Sequence, residues 1–126
     1  EKQIYISTGL GGKGEKLRFY VLILANELKP FLEYQKKVIE REFPYSLEKA
    51  GCEIERLTIG EKYMELVFLI PVRADIKQAL DKVINECNQY GNFLSQVFTI
   101  TNVKELSAEE VEEIIKKNGG NSQASH

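Results

Sequence analysis

The spacing of apolar residues divides the chain into alternating strand-like and helix-like segments. Ile4–Thr8 alternates and is rich in β-formers, so it predicts a short strand at the edge of a sheet. Leu17–Ala25 is a continuous run of apolar, β-branched and aromatic residues, which is typical of a central strand covered on at least one face. The segment between them, Gly9–Gly14, predicts a flexible loop.

A first helix is predicted after the central strand, with Asn26 as its cap and Pro30 in its first turn, where a missing N–H costs little. Apolar residues recur on one face of this helix, namely Leu28, Phe31, Leu32, Val38 and Ile39, followed by Phe43. Pro44 is expected to break or kink the helix. Gly51 is expected to end a further turn over residues 46–50.

A hairpin and a second helix follow. Cys52–Ile59 and Tyr63–Val72 are strand-like and are joined by Gly60-Glu61-Lys62, a short glycine-containing connection that is typical of a hairpin. Asp75 begins the second helix, because its side chain can accept a hydrogen bond from the Gln78 N–H and Gln78 can reach back. Apolar residues spaced along this helix predict one buried face.

The last strand and helix are predicted near the end of the chain. Gln96–Val103 alternates, with Val97, Thr99 and Thr101 on one face and Phe98 and Ile100 on the other. Another capping box, formed by Ser107 and Glu110, opens a helix that is expected to end near Lys117. Residues 119–126 form a polar, Gly/Ser/Asn-containing tail that is expected to be disordered.

The order of these elements predicts the fold class. Apart from the first strand it is β-α-β-β-α-β, which predicts an α+β fold: a ferredoxin-like βαββαβ plait with an extra N-terminal strand and a C-terminal helix. Residues 1–118 are expected to form this single domain. The two main helices would cover one sheet face, leaving the other for the C-terminal helix, a second subunit or a partner such as nucleic acid.

Composition narrows the class of protein. The chain has 126 residues, 43% hydrophobic and 29% charged, which is ordinary for one globular domain. Its longest apolar run, Phe19–Ala25, is far too short to cross a bilayer, and no signal-peptide pattern opens the sequence, so we expect a cytoplasmic protein without a membrane partner. The net charge of −2, with both signs interspersed, argues against a protein that depends mainly on phosphate contacts.

Histidine- and metal-based chemistry is not expected. The one histidine is His126, in the predicted tail, and the two cysteines form no CxxC pair. Thiolate zinc sites need more than two cysteines, so neither a metal nor a cofactor is predicted. Cys52 and Cys87 are interpreted as small core residues. The prediction is a protein that is not an enzyme, although an enzyme that uses only carboxylates, tyrosine or lysine stays open as an alternative.

A glycine-rich loop and a few cations are the candidate binding residues. Backbone N–H groups in loops such as GLGGKG can hold phosphates. The phosphate-loop pattern, however, requires Ser or Thr after Gly-Lys and then a helix, whereas Gly14 and a strand follow here. A mobile connector and scattered surface cations are the alternative interpretation. The candidate residues are Gly11, Gly12, Lys13, Arg18, Arg73 and Lys77.

The layout from Leu17 to Asn118 resembles the single-tyrosine HUH transposases of small bacterial insertion sequences. In that family a strand begins with a His-hydrophobe-His motif and continues through apolar residues to a proline. Here Tyr63-Met64-Glu65 stands at the motif and Leu66–Pro71 follows as the family's strand does. The preceding segment Gly51–Glu55 is also similar in character. The resemblance implies a ferredoxin-like fold and a dimer joined through the sheet.

The resemblance continues to the end of the chain, but the family's catalytic residues are absent from their positions. The family has a Ser-x-x-Phe strand and then a helix that carries the nucleophilic tyrosine, and Ser95–Asn102 and Ser107–Asn118 resemble that pair. The nucleophile's position falls at Ile114, and the two metal-binding histidines' positions fall at Tyr63 and Glu65. The family reaction needs a tyrosine phenolate and a divalent ion held by two imidazoles, and none of these stands at its position.

Two functions are therefore predicted. The first is a non-enzymatic, homodimeric binding module that contacts nucleic acid or protein, either as a transposase-like scaffold without its chemistry or as an unrelated plait. The second is a small-ligand or anion sensor domain that uses the Gly9–Gly14 loop.

Overall fold

Five antiparallel strands form one sheet in the order β1-β3-β4-β2-β5. A computed structural model describes the backbone of residues 3–5, 15–102 and 104–124 and the side chains of 15–102 and 104–118. The strands are β1 Gln3–Tyr5, β2 Lys16–Ala25, β3 Glu53–Ile59, β4 Tyr63–Pro71 and β5 Leu94–Thr101. The order β5-β2-β4-β3 is that of a ferredoxin-like plait, and β1 adds an edge strand to it. The predicted α+β fold with an extra N-terminal strand is confirmed.

Strands β2 and β4 form the centre of the sheet. They pair antiparallel from Lys16 opposite Pro71 to Leu24 opposite Tyr63. Residues 20–25 of β2 are all buried, which accounts for the continuous apolar run in the sequence, because both sheet faces are covered at this point. The predicted hairpin is confirmed, since β3 and β4 pair directly across Gly60-Glu61-Lys62.

Three α-helices of the described residues cover the two faces of the sheet, and Asn26–Leu28 form a short 3-10 helix. The α-helices are α1 Glu33–Lys49, α2 Ile76–Asn88 and α3 Ala108–Ala124. Helices α1 and α2 pack on one face over the larger core, which includes Phe43, Leu47, Leu66, Phe68 and Ile84. Helix α3 covers the opposite face over a smaller cluster that contains Tyr20, Leu22, Leu24, Val67 and Val111. The C-terminal helix thus lies on the face that α1 and α2 leave open.

The predicted course of the first helix is wrong in two respects. Helix α1 begins at Glu33 rather than at Asn26, because residues 26–32 connect the end of β2 to the helix through long-range hydrogen bonds. The Asn26 Nδ2 donates to the Asn92 carbonyl at 3.2 Å, and the Phe31 N–H donates to the Glu61 carbonyl at 2.9 Å. Pro44 does not end the helix, since it is buried within it and α1 continues to Lys49.

Several local end signals act as predicted. Gly51 has a φ of +89°, and the Gly51 and Cys52 N–H groups donate to the carbonyls of Glu48 and Leu47, which closes α1 in a Schellman motif. The Gln78 N–H donates to the Asp75 side chain at 3.2 Å.

The bounds of the last two elements differ from the prediction. Strand β5 begins at Leu94, two residues before the predicted start, and α3 continues beyond Lys117 to Ala124.

Two of the predicted segments extend beyond the described residues. Of the predicted strand over Ile4–Thr8 only residues 4 and 5 are described, and they belong to edge strand β1. The Gly9–Gly14 loop lies outside the described residues. Cys52 and Cys87 are both buried and unpaired, as predicted. Within the described part of the chain, the helices are too short or too polar to span a bilayer.

Candidate functional site

The sheet face beneath α3 contains the positions that carry catalysis in the transposases this sequence resembles. Side chains alternate between the two faces of a strand, so the residues flanking buried Met64 in β4 point to the opposite face from it. Tyr63 belongs to the cluster under α3, whereas Met64 belongs to the core under α1 and α2. Glu65 lies on the same face as Tyr63, two residues along the strand.

Helix α3 contributes the third position. Its sheet-facing residues Val111, Ile114 and Ile115 pack into the same cluster as Tyr63. The structure therefore brings Tyr63, Glu65 and Ile114 to one sheet face. Ile114, an apolar aliphatic residue, stands at the position that the resemblance assigns to the nucleophile. Tyr63 and Glu65 stand at the positions that it assigns to two histidines, and neither has an imidazole.

A hydrogen bond between two strands fixes the polar part of this face. The Tyr20 hydroxyl, on β2, donates to Glu65 Oε2 at 2.7 Å, and Tyr20 is 2% exposed. Burial, together with the hydrogen bond to the Glu65 carboxylate, raises the pKa of the Tyr20 phenol far above its ordinary value. The phenol therefore stays protonated at neutral pH and acts as a donor rather than as a nucleophile.

Ion pairs join the loop before α3 to the sheet. Arg18 Nε lies 2.7 Å from Glu55 Oε1, and Arg18 also reaches Glu105 Oε2 at 3.1 Å. Arg56 pairs with the other oxygen of Glu105. Partial burial opposes ionisation of Glu105, but hydrogen bonds and charge attraction from Arg56 and Arg18 prevail and lower its pKa. These four residues are called the arginine–glutamate cluster below.

The candidate binding residues do not form one site in the described part of the chain. Gly11, Gly12 and Lys13 lie outside the described residues. Arg18 is engaged in the arginine–glutamate cluster. Arg73 is exposed in the turn after β4, and Lys77 pairs with Asp81 at 3.0 Å in the first turns of α2. Their role in binding an anion stays a prediction.

Three residues that shape this face were not selected from the sequence. They are Tyr20, Arg56 and Glu105. Tyr20 gave one signal, because a tyrosine in a strand predicted to be buried needs a hydrogen-bond partner for its hydroxyl. The identity of that partner depends on the pairing of β2 with β4. For Arg56 and Glu105 the sequence offers no signal, since 49 positions separate them.

Comparisons with known proteins agree with this geometry at the level of the fold. No protein-family profile matches the chain, and no curated protein sequence matches it. The chain is similar to the crystal structure of a protein provisionally assigned as a transposase from Deinococcus radiodurans R1. The TM-score is 0.67 and the identity 13%, over 84% of this chain and 93% of the other.

A second similar structure is a REP-associated tyrosine transposase bound to a REP hairpin. The TM-score is 0.59 and the identity 9%, and the match covers 81% of this chain and 66% of the other. At these identities the likeness concerns the fold alone. The whole-fold resemblance to transposases that the sequence indicated is confirmed.

Proposed function

We propose that this chain is a non-catalytic binding module on a transposase-like scaffold, which forms a homodimer and contacts nucleic acid. The observation that carries the proposal is the set of residues at the three positions of the transposase chemistry. Tyr63 and Ile114 each pack against the apolar cluster beneath α3, and Glu65 accepts the Tyr20 hydrogen bond. Nucleic acid is the favoured partner because one of the two similar structures is a transposase bound to a hairpin.

The chemical argument against strand cleavage concerns the nucleophile. A transposase tyrosine must lose its proton to attack a phosphodiester, and a bound divalent ion assists by polarising the phosphate. Tyr20 is the tyrosine beneath α3 whose pKa is raised, and its hydroxyl is directed at a carboxylate that would repel a phosphate. Packing of Ile114 on the same face leaves no attacking group on α3 at this position.

The absence of cleavage is tested with fluorescent single-stranded DNA hairpins that carry single-stranded flanks. The chain is incubated with them in Mg²⁺ or Mn²⁺, with a REP-associated tyrosine transposase as the positive control. On a denaturing gel we expect intact DNA and no protein–DNA adduct. A covalent adduct that forms with this chain would contradict the proposal and assign it an active tyrosine.

Dimerisation is proposed through the exposed edge of β5. Within the described sheet, β5 pairs on one side with β2 and forms an edge. The strand LSQVFTIT carries no charge and no proline, two of the devices that keep edges from pairing, although its pairing with β2 is irregular between Leu94 and Phe98. Val97, in its middle, is 78% exposed. Antiparallel pairing of two β5 strands about a two-fold axis would cover this valine in both subunits.

Two valine-to-lysine variants test the proposed interface. Val97→Lys places a charge on the β5 edge, and Val72→Lys places the same charge on a valine that is 51% exposed in the turn after β4. By analytical ultracentrifugation at micromolar concentration we expect a dimer for the wild type and for Val72→Lys, and a monomer for Val97→Lys. A wild-type monomer would exclude the dimer, and a dimeric Val97→Lys would exclude this edge.

Nucleic-acid binding is tested by its dependence on salt. Each phosphate that a cation neutralises releases counterions, so the affinity for a labelled DNA strand should fall steeply between 50 and 200 mM salt. Fluorescence anisotropy gives the dissociation constant at each concentration. An affinity that is absent, or that does not change with salt, would favour a protein partner instead.

A further inference from the structure

Tyrosine side chains lie exposed on the outer surface of the helix layer, away from the face covered by α3. Tyr34, Tyr45 and Tyr90 are 49%, 65% and 51% exposed. Tyr34 and Tyr45 are on α1, and Tyr90 follows the end of α2. Large aromatic residues left this accessible are characteristic of binding surfaces, because their faces supply contact area at small cost in conformational entropy.

The spacing along α1 places cations between the tyrosines. Intervals of three and four residues keep side chains on one face of a helix. Tyr34, Lys37, Arg41, Tyr45 and Lys49 follow these intervals and are exposed. The buried residues of the helix, such as Ile39 and Phe43, lie on its opposite face. The five residues and Tyr90 are called the α1 platform below.

Contacts between α1 and the loop after α2 hold part of the platform in place. The Tyr34 hydroxyl donates to the Tyr90 carbonyl at 3.1 Å, and the Arg41 guanidinium lies 5.1 Å from the centre of the Tyr90 ring. Gly91 has a φ of +134°, and a Cβ at this position would lie 3.0 Å from the Tyr34 hydroxyl oxygen. The glycine thus allows the two tyrosines to approach each other.

Three cations of the platform favour an anionic partner, and one exposed carboxylate, Glu48, follows the same spacing on this face. Lys49 lies 5.3 Å from the centre of the Tyr45 ring, and it lines a cleft of about 230 Å³ together with Lys82. Lys37 and Lys49 form no ion pair with any carboxylate of the described residues. Arg41 pairs with Glu42 at 3.0 Å and stacks on Tyr90. Cations next to π-faces are the combination that binds phosphates and unpaired bases.

We infer that the α1 platform binds single-stranded nucleic acid, with bases stacked on Tyr45 and Tyr90 and phosphates near Lys37 and Lys49. The inference rests on the proposed nucleic-acid function and assigns it a surface. The 11 residue steps from Tyr34 to Tyr45 span about 16 Å of helix, so the platform is long enough for more than one nucleotide. A duplex hides the faces of its bases and offers such tyrosines only its backbone.

The test measures binding of a fluorescein-labelled oligothymidine by anisotropy at low salt. Tyr45→Ala removes a stacking face and is expected to weaken binding about tenfold. Tyr45→Phe keeps the face and should bind like the wild type. Lys37→Ala should weaken binding and reduce its salt dependence. Lys117→Ala, at an exposed cation of α3 outside the platform, serves as the matched control and should leave the affinity unchanged.

The outcomes separate this inference from the proposed function. If the wild type binds no single strand or duplex, the nucleic-acid function fails and the inference fails with it. If the wild type binds and Arg73→Ala or Lys77→Ala weakens binding while Tyr45→Ala does not, the inference alone is overturned. A duplex bound as tightly as the single strand also overturns it. If Tyr45→Ala leaves DNA binding intact and dissociates the dimer, the platform is a protein interface.

Discussion

A tyrosine buried beneath a helix needs a partner for its hydroxyl, and here a carboxylate of the neighbouring strand supplies it. Tyr20 and Glu65 form a hydrogen bond between β2 and β4, on the sheet face that α3 covers. The Glu65 carboxylate is thus part of the structural hydrogen bonding of the sheet. We expect the loss of this hydrogen bond to lower the stability of the fold.

Replacing Tyr20 with phenylalanine tests this role. Tyr20→Phe keeps the ring and removes the hydroxyl donor, so we expect the free energy of unfolding to fall by about 1.5–3 kcal/mol, as for a hydrogen bond to a charged acceptor. Urea unfolding followed by circular dichroism measures the change. Tyr45→Phe removes an exposed hydroxyl and should change stability by no more than about 0.5 kcal/mol. Equal effects of the two variants would contradict the assignment.

The cysteines give a second prediction at the scale of single residues. Burial raises the pKa of Cys52 to about 11 and that of Cys87 to about 12, so neither forms an appreciable thiolate at neutral pH. In the native protein we expect both to resist a thiol-specific reagent at pH 7.5. Both should react within minutes once the chain is unfolded in urea. A cysteine that reacts rapidly in the native protein would contradict its place in the core.

At the scale of residues, the sequence predicts which positions matter but not which side chains contact each other. Tyr63, Glu65 and Ile114 were placed by their positions within elements, and the fold brings them to one face. The Tyr20–Glu65 hydrogen bond depends on the register in which Leu22 lies opposite Glu65, and no local pattern fixes that register. Contacts of this kind require the pairing of strands that lie more than 40 positions apart.

At the scale of elements, polar contacts fix the beginning of α3. The Glu110 N–H donates to the Ser107 hydroxyl at 3.1 Å, and the Ser107 N–H donates to the Glu110 carboxylate at 2.8 Å, which completes the predicted capping box. Just before this box, Glu105 joins the arginine–glutamate cluster. The first turn of the helix is thus fixed to β2 and β3 by charges.

This attachment should depend on pH through Glu105. Its pKa is lowered in the folded protein, so it contributes stability above its ordinary value of 4.5, and that stability is lost as the pH falls through the lower folded value. We expect Glu105→Gln to lower stability in urea at pH 7 and to flatten the decline below pH 4.5. Glu113→Gln, which changes an exposed carboxylate of α3, is the control. Parallel pH profiles for the wild type and Glu105→Gln would contradict the prediction.

Helix ends were predictable where the signals are local. Asp75, Ser107 and Gly51 act through groups within five residues of themselves, and each lies at a helix end in the structure. The start of α1 was not predictable, because Asn26 resembles a cap but donates to the distant Asn92 carbonyl. Pro44 is accommodated because packing of its neighbours against the sheet outweighs one missing backbone hydrogen bond.

At the scale of the whole molecule, the sheet separates two helical layers that pack against it to different extents. Helices α1 and α2 cover the larger core and contact each other as well as the strands. Of the described α-helices, α3 packs on the other face, through a few aliphatic residues. The two layers should therefore open with different free energies.

Hydrogen exchange measured by mass spectrometry tests this difference. We expect the slowest exchange in β2 and β4, which lie inside the sheet and pair along their length, and faster exchange in α3 than in α1 or α2. Glu105→Gln should accelerate exchange in α3 and leave α1 unchanged. An α3 that exchanges as slowly as β2 would show that both layers unfold as one unit.

The uncharged edge of β5 affects how tightly the protein would bind a long single strand of nucleic acid. A two-fold axis perpendicular to the sheet at β5 would join two sheets into one and place both α1 platforms on the same side of it. A strand that reaches both platforms would meet the second at a high effective concentration and would gain avidity without any new contact. Affinity would then rise abruptly with oligonucleotide length, and Val97→Lys would abolish the rise while leaving the affinity for short strands unchanged.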